Sequence, residues 1–237
     1  MKTNIKKDSI SVAKIFNEIA EKYDRINHLL SFGLDRGWRN KVIPFLPAKK
    51  GAKILDIACG SCAQIAAIAK KRPDCRFTGV DIAENLLEIG RKKLSGTNVQ
   101  LDALLTSSAL NLPFADRSFP AITISFGIRN MEDFEKALAE AYRVLEKDGK
   151  LFILEFSKPE GFLQKKLSLF YLKNILPKIG NLLSNHCYAY TYLNETILEF
   201  PHGKAFIDHM KKSGFTNTTF HPMTFGMVTL YIGEKNC

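Results

Sequence analysis

No stretch of this chain is apolar for the ~20 residues that a membrane-crossing helix needs. The start carries Lys2, Lys6 and Lys7 with no apolar core behind them, so it does not read as a secretory signal. Cysteine is sparse and odd in number: Cys59, Cys62, Cys75, Cys187 and Cys237. That pattern holds no disulfide framework and fits a reducing compartment. Cys59 and Cys62 have the C-x-x-C spacing of redox and zinc sites, but no second pair stands by to complete a zinc centre. They read as small side chains filling a tight turn, with thiol–disulfide chemistry as the rival. His186, His202, His209 and His221 show no metal-ligand spacing, and no metal is expected. Lysine and arginine outnumber the acids 34 to 24, a net charge of +10, yet no block of five basic residues occurs. A tight nucleic-acid footprint is therefore missing, and no nucleic-acid partner is expected. Internal repeats and low-complexity segments are absent as well.

What remains is the composition of a globular chain of 237 residues, 46% hydrophobic and 24% charged. That length suits one α/β domain with additions. The stretch Ile54-Leu-Asp-Ile-Ala-Cys-Gly-Ser61 is an apolar run of strand length ending in a turn of small residues. A helix-like segment follows, and a second apolar run, Phe77 to Val80, ends in Asp81. This is the order of the first half of a nucleoside-binding α/β unit. The acid at the tip of its second strand accepts hydrogen bonds from ribose hydroxyls. The turn has one glycine, Gly60, where a dinucleotide fold needs G-x-G-x-x-G. A pyrophosphate has no cradle there. A nucleoside without phosphates fits better, and S-adenosylmethionine is the common one. Asp81 could also cap the helix starting near Glu84, but its strand-end position favours the ribose.

Along the chain, Val12, Ile15, Phe16, Ile19 and Tyr23 share one helical face, and Gly33 marks a stop. Asp35 can cap a second segment carrying Trp38, Val42 and Ile43, which Pro44 and Pro47 break. Strand-like runs then fall at 53–58, 76–82, 99–105, 121–127 and 150–157, with helix-like runs at 62–71, 84–95 and 134–146. This alternation predicts a parallel sheet wrapped on both faces, with ligands at the carboxyl ends of its strands. Apolar residues at helical spacing recur at 162–183, studded with lysines, and again at 190–198 and 203–213. Two strand-like runs, 216–220 and 227–231, close the chain as an antiparallel hairpin.

Several runs are more specific than this pattern. Ala20-Glu-Lys-Tyr-Asp24, Arg36-Gly-Trp38, Leu112-Pro-Phe114, Ile124-Ser-Phe-Gly-Ile-Arg-Asn130, Leu154-Glu-Phe-Ser-Lys-Pro159 and Tyr190-Thr-Tyr-Leu193 carry a resemblance from about Val12 to Tyr231. On them the chain resembles the ubiquinone/menaquinone biosynthesis C-methyltransferase family, class I enzymes that use S-adenosylmethionine. The resemblance implies a Rossmann-like α/β fold with a mostly parallel seven-stranded sheet and a C-terminal antiparallel hairpin. It further implies a helical preface over residues 1–50 that caps the substrate. A cofactor-binding domain over 51–237 follows, with a helical insertion at 160–200 after the fifth strand.

By matched position, Gly60, Ser61, Asp81, Ser108, Ala109 and Ser125 are the implied cofactor-binding residues. Ser61 falls to the amino-acid end, Asp81 to the ribose, and Ser108 and Ala109 to the adenine. Arg129, Asn130 and Tyr23 are the implied catalytic residues around a quinol ring. The family usually has glycine at Cys59, Thr-Gly at Ser61-Cys62 and Asn or Asp at Ser108. It usually has acids at Pro120, His186 and Tyr188.

Methyl transfer to carbon is a displacement at a sulfonium methyl, so the protein must align the partners and handle charge. A quinol activates its own ring carbon once a phenolic proton leaves. Arg129 suits the resulting oxyanion, because guanidinium stays charged and directs several donors. Its rival role is a surface ion pair with Glu132 or Asp133. Asp24, His28 or a water could take the proton, and the rival role of Tyr23 is to anchor the preface through its ring.

The implied substrate is 2-demethylmenaquinol, or 2-methoxy-6-polyprenyl-1,4-benzoquinol in ubiquinone synthesis. The rival from another class is a non-catalytic scaffold that binds S-adenosylmethionine. The expected location is the cytoplasm, with the lysine-studded 162–183 stretch read either as a packed helix or as a peripheral contact with the anionic inner face of the membrane. Oligomeric state stays open, a homodimer included.

Overall fold

Four of the five side chains of β1 (Lys53–Ile57) are buried, as a strand covered on both faces requires. Ile54 packs into one apolar cluster, while Leu55 and Ile57 pack into another on the opposite face. That alternation is the pleat's period of two. The computed structural model describes residues 8–159 and 195–236. In it β1 lies within a seven-stranded sheet of order β3-β2-β1-β4-β5-β7-β6. The other strands are β2 (Arg76–Asp81), β3 (Gln100–Thr106), β4 (Phe119–Ser125), β5 (Leu145–Phe156), β6 (Thr216–Met223) and β7 (Val228–Glu234). The β1–β5 pairings are parallel, β7 runs antiparallel to β5, and β6 pairs antiparallel with β7. The expected fold class and hairpin are both present.

The preface forms α1 (Ser9–Leu30), capped by Asp8, whose Oδ1 accepts the Ser11 N–H at 2.9 Å. It stops where Gly33 takes φ +76° and donates its N–H to the His28 carbonyl. The expected apolar face is the packed one: Phe16, Ala20 and Tyr23 lie against Leu86 and Ile89 of α4 (Glu84–Leu94). The short α2 (Asp35–Asn40) follows, but Asp35 does not cap it. Its carboxylate instead accepts from His28 Nδ1 and the Ser31 hydroxyl, closing the α1–α2 corner. Trp38 reaches across to donate its indole N–H to Thr224 Oγ1 in the β6–β7 turn, at 2.7 Å.

The other helices are α3 (Ala63–Ala69), α5 (Phe134–Val144) and α6 (Lys204–Lys212). The helix expected over 134–146 stops at Val144, and β5 begins at Leu145 rather than at residue 150. Leu145 pairs with Phe119 and Lys150 with Ala121, so the residues between make an excursion in which Asp148 takes φ +59°. Lys235 secures it. Its buried ammonium donates to the carbonyls of Tyr142, Arg143 and Leu145, the open C-terminal end of α5. The stretch at 162–183 and the first part of the one at 190–198 lie outside the described residues, while 195–199 is helical.

Candidate active site

Strand order reverses between β1 and β4, and the carboxyl ends of the strands there open into a cleft of ≈ 690 Å³. Its floor is Ala58 and Gly60 after β1, Asp81 and Ile82 at β2, Ser107 to Leu110 after β3, and Ser125, Phe126, Gly127 and Asn130 after β4. Val12, Phe16 and Tyr23 of α1 form part of the opposite wall. The fold therefore brings Gly60, Asp81, Ser108, Ala109, Ser125, Asn130 and Tyr23 to one cleft from five separate elements.

Asp81 ends β2 with 9% exposure. Its Oδ2 accepts the Gly60 N–H at 2.7 Å and its Oδ1 the Ala83 N–H at 2.8 Å. Burial pushes this carboxyl up, against the pull of those backbone donors. Each oxygen keeps a further lone pair for another donor. Gly60 has φ +53°, and a Cβ there would stand 3.7 Å from Leu86 Cδ1 and 4.0 Å from Asp81 Oδ2. A side chain would thus enter the space beside the carboxylate. Asp81 is not the cap of α4, which is Ala83; it orders the turn before that helix and faces the cleft.

The thiols explain two further glycines. A Cβ on Gly90 would lie 2.5 Å from Cys62 Sγ, and one on Gly79 would lie 2.8 Å from Cys59 Sγ. Both cysteines are free and buried, packing elements of the turn. Among the described residues no group of three or more His, Cys, Asp or Glu could hold a metal.

Ser61 and Arg129 do not line the cleft. Ser61 is 2% exposed, and its hydroxyl donates to Asp24 Oδ1. Lys93 of α4 joins them, with Nζ 2.7 Å from the Ser61 carbonyl and ion-paired to Asp24. Asp24 is thus already engaged, and His28 is held by Asp35. Arg129 lies in the 3-10 turn Ile128–Asn130, 6% exposed. Its Nη1 donates to Glu155 Oε1 at 2.7 Å and to the Phe126 carbonyl at 2.6 Å, and its guanidinium lies 5.2 Å from the centre of the Phe156 ring. The ion-pair partner is therefore buried Glu155, not Glu132 or Asp133. Arg129 Nε and Nη2 make no hydrogen bond among the described residues.

Two buried acids went unnoticed in the sequence, although each interrupts an apolar strand: Asp56 in β1 and Glu155 in β5. Burial raises the Asp56 carboxyl to about 7, offset by a 2.6 Å hydrogen bond from Thr123 Oγ1 and by the charge of Arg39. An acid that titrates higher folded than unfolded takes up its proton on folding between about pH 4 and about pH 7. Its contribution is present at low pH and is lost as pH rises through that window. Asp56→Asn should flatten the slope, so that urea midpoints at about pH 5 and about pH 8 lie closer together than in the wild type. An unchanged slope would move the titration to another group.

This fold is shared with solved methyltransferases. The S-adenosylmethionine-dependent methyltransferase from Thermotoga maritima is 21% identical, with a TM-score of 0.63 over 94% of this chain and 99% of that one. Phosphoethanolamine N-methyltransferase 2 from Haemonchus contortus, solved with S-adenosyl-L-methionine, is 17% identical, with a TM-score of 0.60 over 84% of this chain and 52% of that one. At these identities the likeness concerns the fold. The model of the ubiE/COQ5 methyltransferase family matches residues 2–235. The chain belongs to the ubiE/COQ5 methyltransferase family. Curated relatives agree. A Bacteroides fragilis protein named demethylmenaquinone methyltransferase is 39% identical over 98% of this chain and 96% of its own length. A Geotalea daltonii protein named ubiquinone/menaquinone biosynthesis C-methyltransferase UbiE is also 39% identical, over 94% of this chain and 96% of its own. A ubiE/COQ5 methyltransferase needs room for a methyl donor and an acceptor, and Asp81 and Asn130 line the same cleft.

Proposed function

We propose that this protein transfers a methyl group from S-adenosylmethionine to a ring carbon of a demethylated prenyl quinol, namely 2-demethylmenaquinol. The observation that carries the acceptor half is Asn130. It lines the cleft, and its Oδ1 is buried without a hydrogen-bond donor among the described residues. Buried acceptors are nearly always satisfied, so a donor such as a ring hydroxyl belongs there. The walls beside it, Phe126, Met131 and Phe16, suit a flat aromatic ring.

The cofactor supplies an electrophilic methyl on a sulfonium, and Asp81 with Gly60 would hold its ribose. The chain's residues handle the acceptor. Arg129 faces the cleft electrostatically through Tyr23, whose phenol is raised by burial and lowered by the Arg129 and Arg39 charges. With Nη1 fixed on Glu155, the N–H donors on Nε and Nη2 of Arg129 would stabilise the oxyanion left when the quinol loses a proton. Asn130 would orient the ring, and Tyr23 would shield it from water beneath α1.

The names of the relatives span menaquinone and ubiquinone synthesis, so the test offers both acceptors. A single-turnover assay with methyl-labelled S-adenosylmethionine, under reducing conditions, should label 2-demethylmenaquinol. Label on the benzoquinol precursor instead would move the protein to ubiquinone synthesis. Label on neither, with cofactor bound, would favour the non-catalytic scaffold. The protein is read as cytoplasmic; no helix among the described residues is long and apolar enough to cross a membrane. A peripheral contact through the lysine-rich 162–183 stretch would appear as sedimentation with anionic vesicles at low salt. A protein left wholly in the supernatant would count against it.

A further inference from the structure

Arg39 is a buried cation without a counter-ion bond among the described residues. It sits on α2 with 8% exposure, and its guanidinium carbon is 5.2 Å from the centre of the Phe126 ring. Its Nε is sealed from solvent without an acceptor, and neither terminal nitrogen donates a hydrogen bond among the described residues. Arg129 shows the ordinary solution, with a carboxylate and a carbonyl on Nη1. Asp56 acts on Arg39 only at a distance, and Asp56 Oδ2 is itself buried without a partner. Only Nε is sealed off; the terminal nitrogens have no protein acceptor among the described residues and stay open, so the fork is free to meet an anion that completes the site.

The surroundings say which anion. The backbone of Arg39 is fastened to the cleft: its carbonyl accepts from Gln64 Nε2 at 3.2 Å, and Gln64 Oε1 accepts from the Ser125 hydroxyl at 3.0 Å. Phe126, whose ring Arg39 overlies, lines the cleft together with Ala58 and Gly60. Strand order then sets out the ligand along the rim. The β3 end offers Ser108 and Ala109, the β2 end Asp81, the β1 end Gly60, and the β4 end Phe126 with Arg39 behind it. From β2 to β4 is two strand spacings, about 10 Å, the order of an extended amino-acid arm leaving a ribose. Ser61, the residue the sequence offers for that end, has its hydroxyl committed to Asp24 and Lys93.

We propose that Arg39 is the anchor for the α-carboxylate at the amino-acid end of S-adenosylmethionine. The role rests on the cofactor reading above and not on the identity of the acceptor. A carboxylate matches the guanidinium fork with two parallel N–H donors, and the Phe126 face fixes the fork's plane. Asp56, which acts on Arg39 at a distance, partly balances it while no carboxylate is bound.

The full chain is tested by calorimetry without quinol, using S-adenosylmethionine, its decarboxylated analogue and methylthioadenosine, which lacks the whole amino-acid end. In the wild type, loss of the carboxylate should weaken binding by about 30-fold or more, as for a charge-assisted pair. Arg39→Met should weaken S-adenosylmethionine by a similar factor while leaving the decarboxylated analogue and methylthioadenosine within about threefold. Arg39→Lys, which keeps charge without the fork, should fall between and guards against a methionine variant that fails to fold. Wild-type protein that binds S-adenosylmethionine and its decarboxylated analogue equally overturns the assignment. So does an Arg39→Met that weakens all three ligands alike, which marks a structural role, or one that spares all three and raises only the KM for quinol, which puts the quinol oxyanion on Arg39. No binding of any nucleoside to the wild type would instead overturn the cofactor reading itself.

Discussion

Arg129→Met is expected to lower the rate of methyl transfer by about 100-fold or more, as for loss of an oxyanion donor. Affinity for S-adenosylmethionine should stay near wild type, since Arg129 is assigned to the acceptor and not to the cofactor. The variant will also be less stable. Glu155 is fully buried and keeps only the N–H groups of Phe156 and residue 129 as donors once the guanidinium is gone. Removing one partner of such a pair costs about 3–5 kcal/mol. The two effects separate in the double variant Arg129→Met/Glu155→Met, which removes the stranded charge and fills the space with apolar volume. Its melting temperature should recover most of the loss, because an apolar replacement of a buried pair is often neutral. Its turnover should not recover. A double variant that both folds and methylates at nearly the wild-type rate would reduce the Arg129–Glu155 pair to scaffolding.

Asp81→Ala carries the second large effect. The change removes an acceptor pair for the ribose and also releases the Gly60 and Ala83 N–H groups that order the turn. One or two charge-assisted hydrogen bonds are worth on the order of 2–3 kcal/mol, so the dissociation constant for S-adenosylmethionine should rise by about 30- to 150-fold. Asp81→Asn keeps one acceptor oxygen but turns an N–H₂ toward the other backbone donor, so it should recover only part of that loss. Burial raises the Asp81 carboxyl, and its protonated form is a poorer acceptor, so wild-type affinity should also decline on the acid side. That acid limb should vanish in Asp81→Asn. Unchanged calorimetric affinity in Asp81→Ala would refute the ribose assignment outright.

Much of this was legible before any coordinates. The apolar runs separated by small-residue turns fixed the order of strands and helices, because a strand buried on both faces must read as continuous hydrophobic sequence. Asp81 and Gly60 were legible for the same local reason: an acid one residue past an apolar run, and a glycine where the backbone bends. The end of α5 was not, because Leu145 enters the sheet through an excursion that Lys235 closes from ninety residues away in the chain. The cap expected of Asp35 was lost to His28 and Ser31, side chains brought near only when α1 meets α2.

Local chemistry along the chain was thus sufficient to determine the α/β order, the paired terminal strands and the acid that faces the cleft. Each depends on patterns only a few residues long. Which charges are buried, and against what, was decided by the tertiary structure. Arg39 and Arg129 look alike as surface cations in the sequence, yet one is paired with Glu155 and the other overlies Phe126 without an acceptor. The same packing drew Ser61 away from the cleft to Asp24 and Lys93, from helices the sequence could propose but not bring together. Desolvation and long-range pairing belong to the assembled fold, and they separate a residue that can serve a ligand from one already engaged.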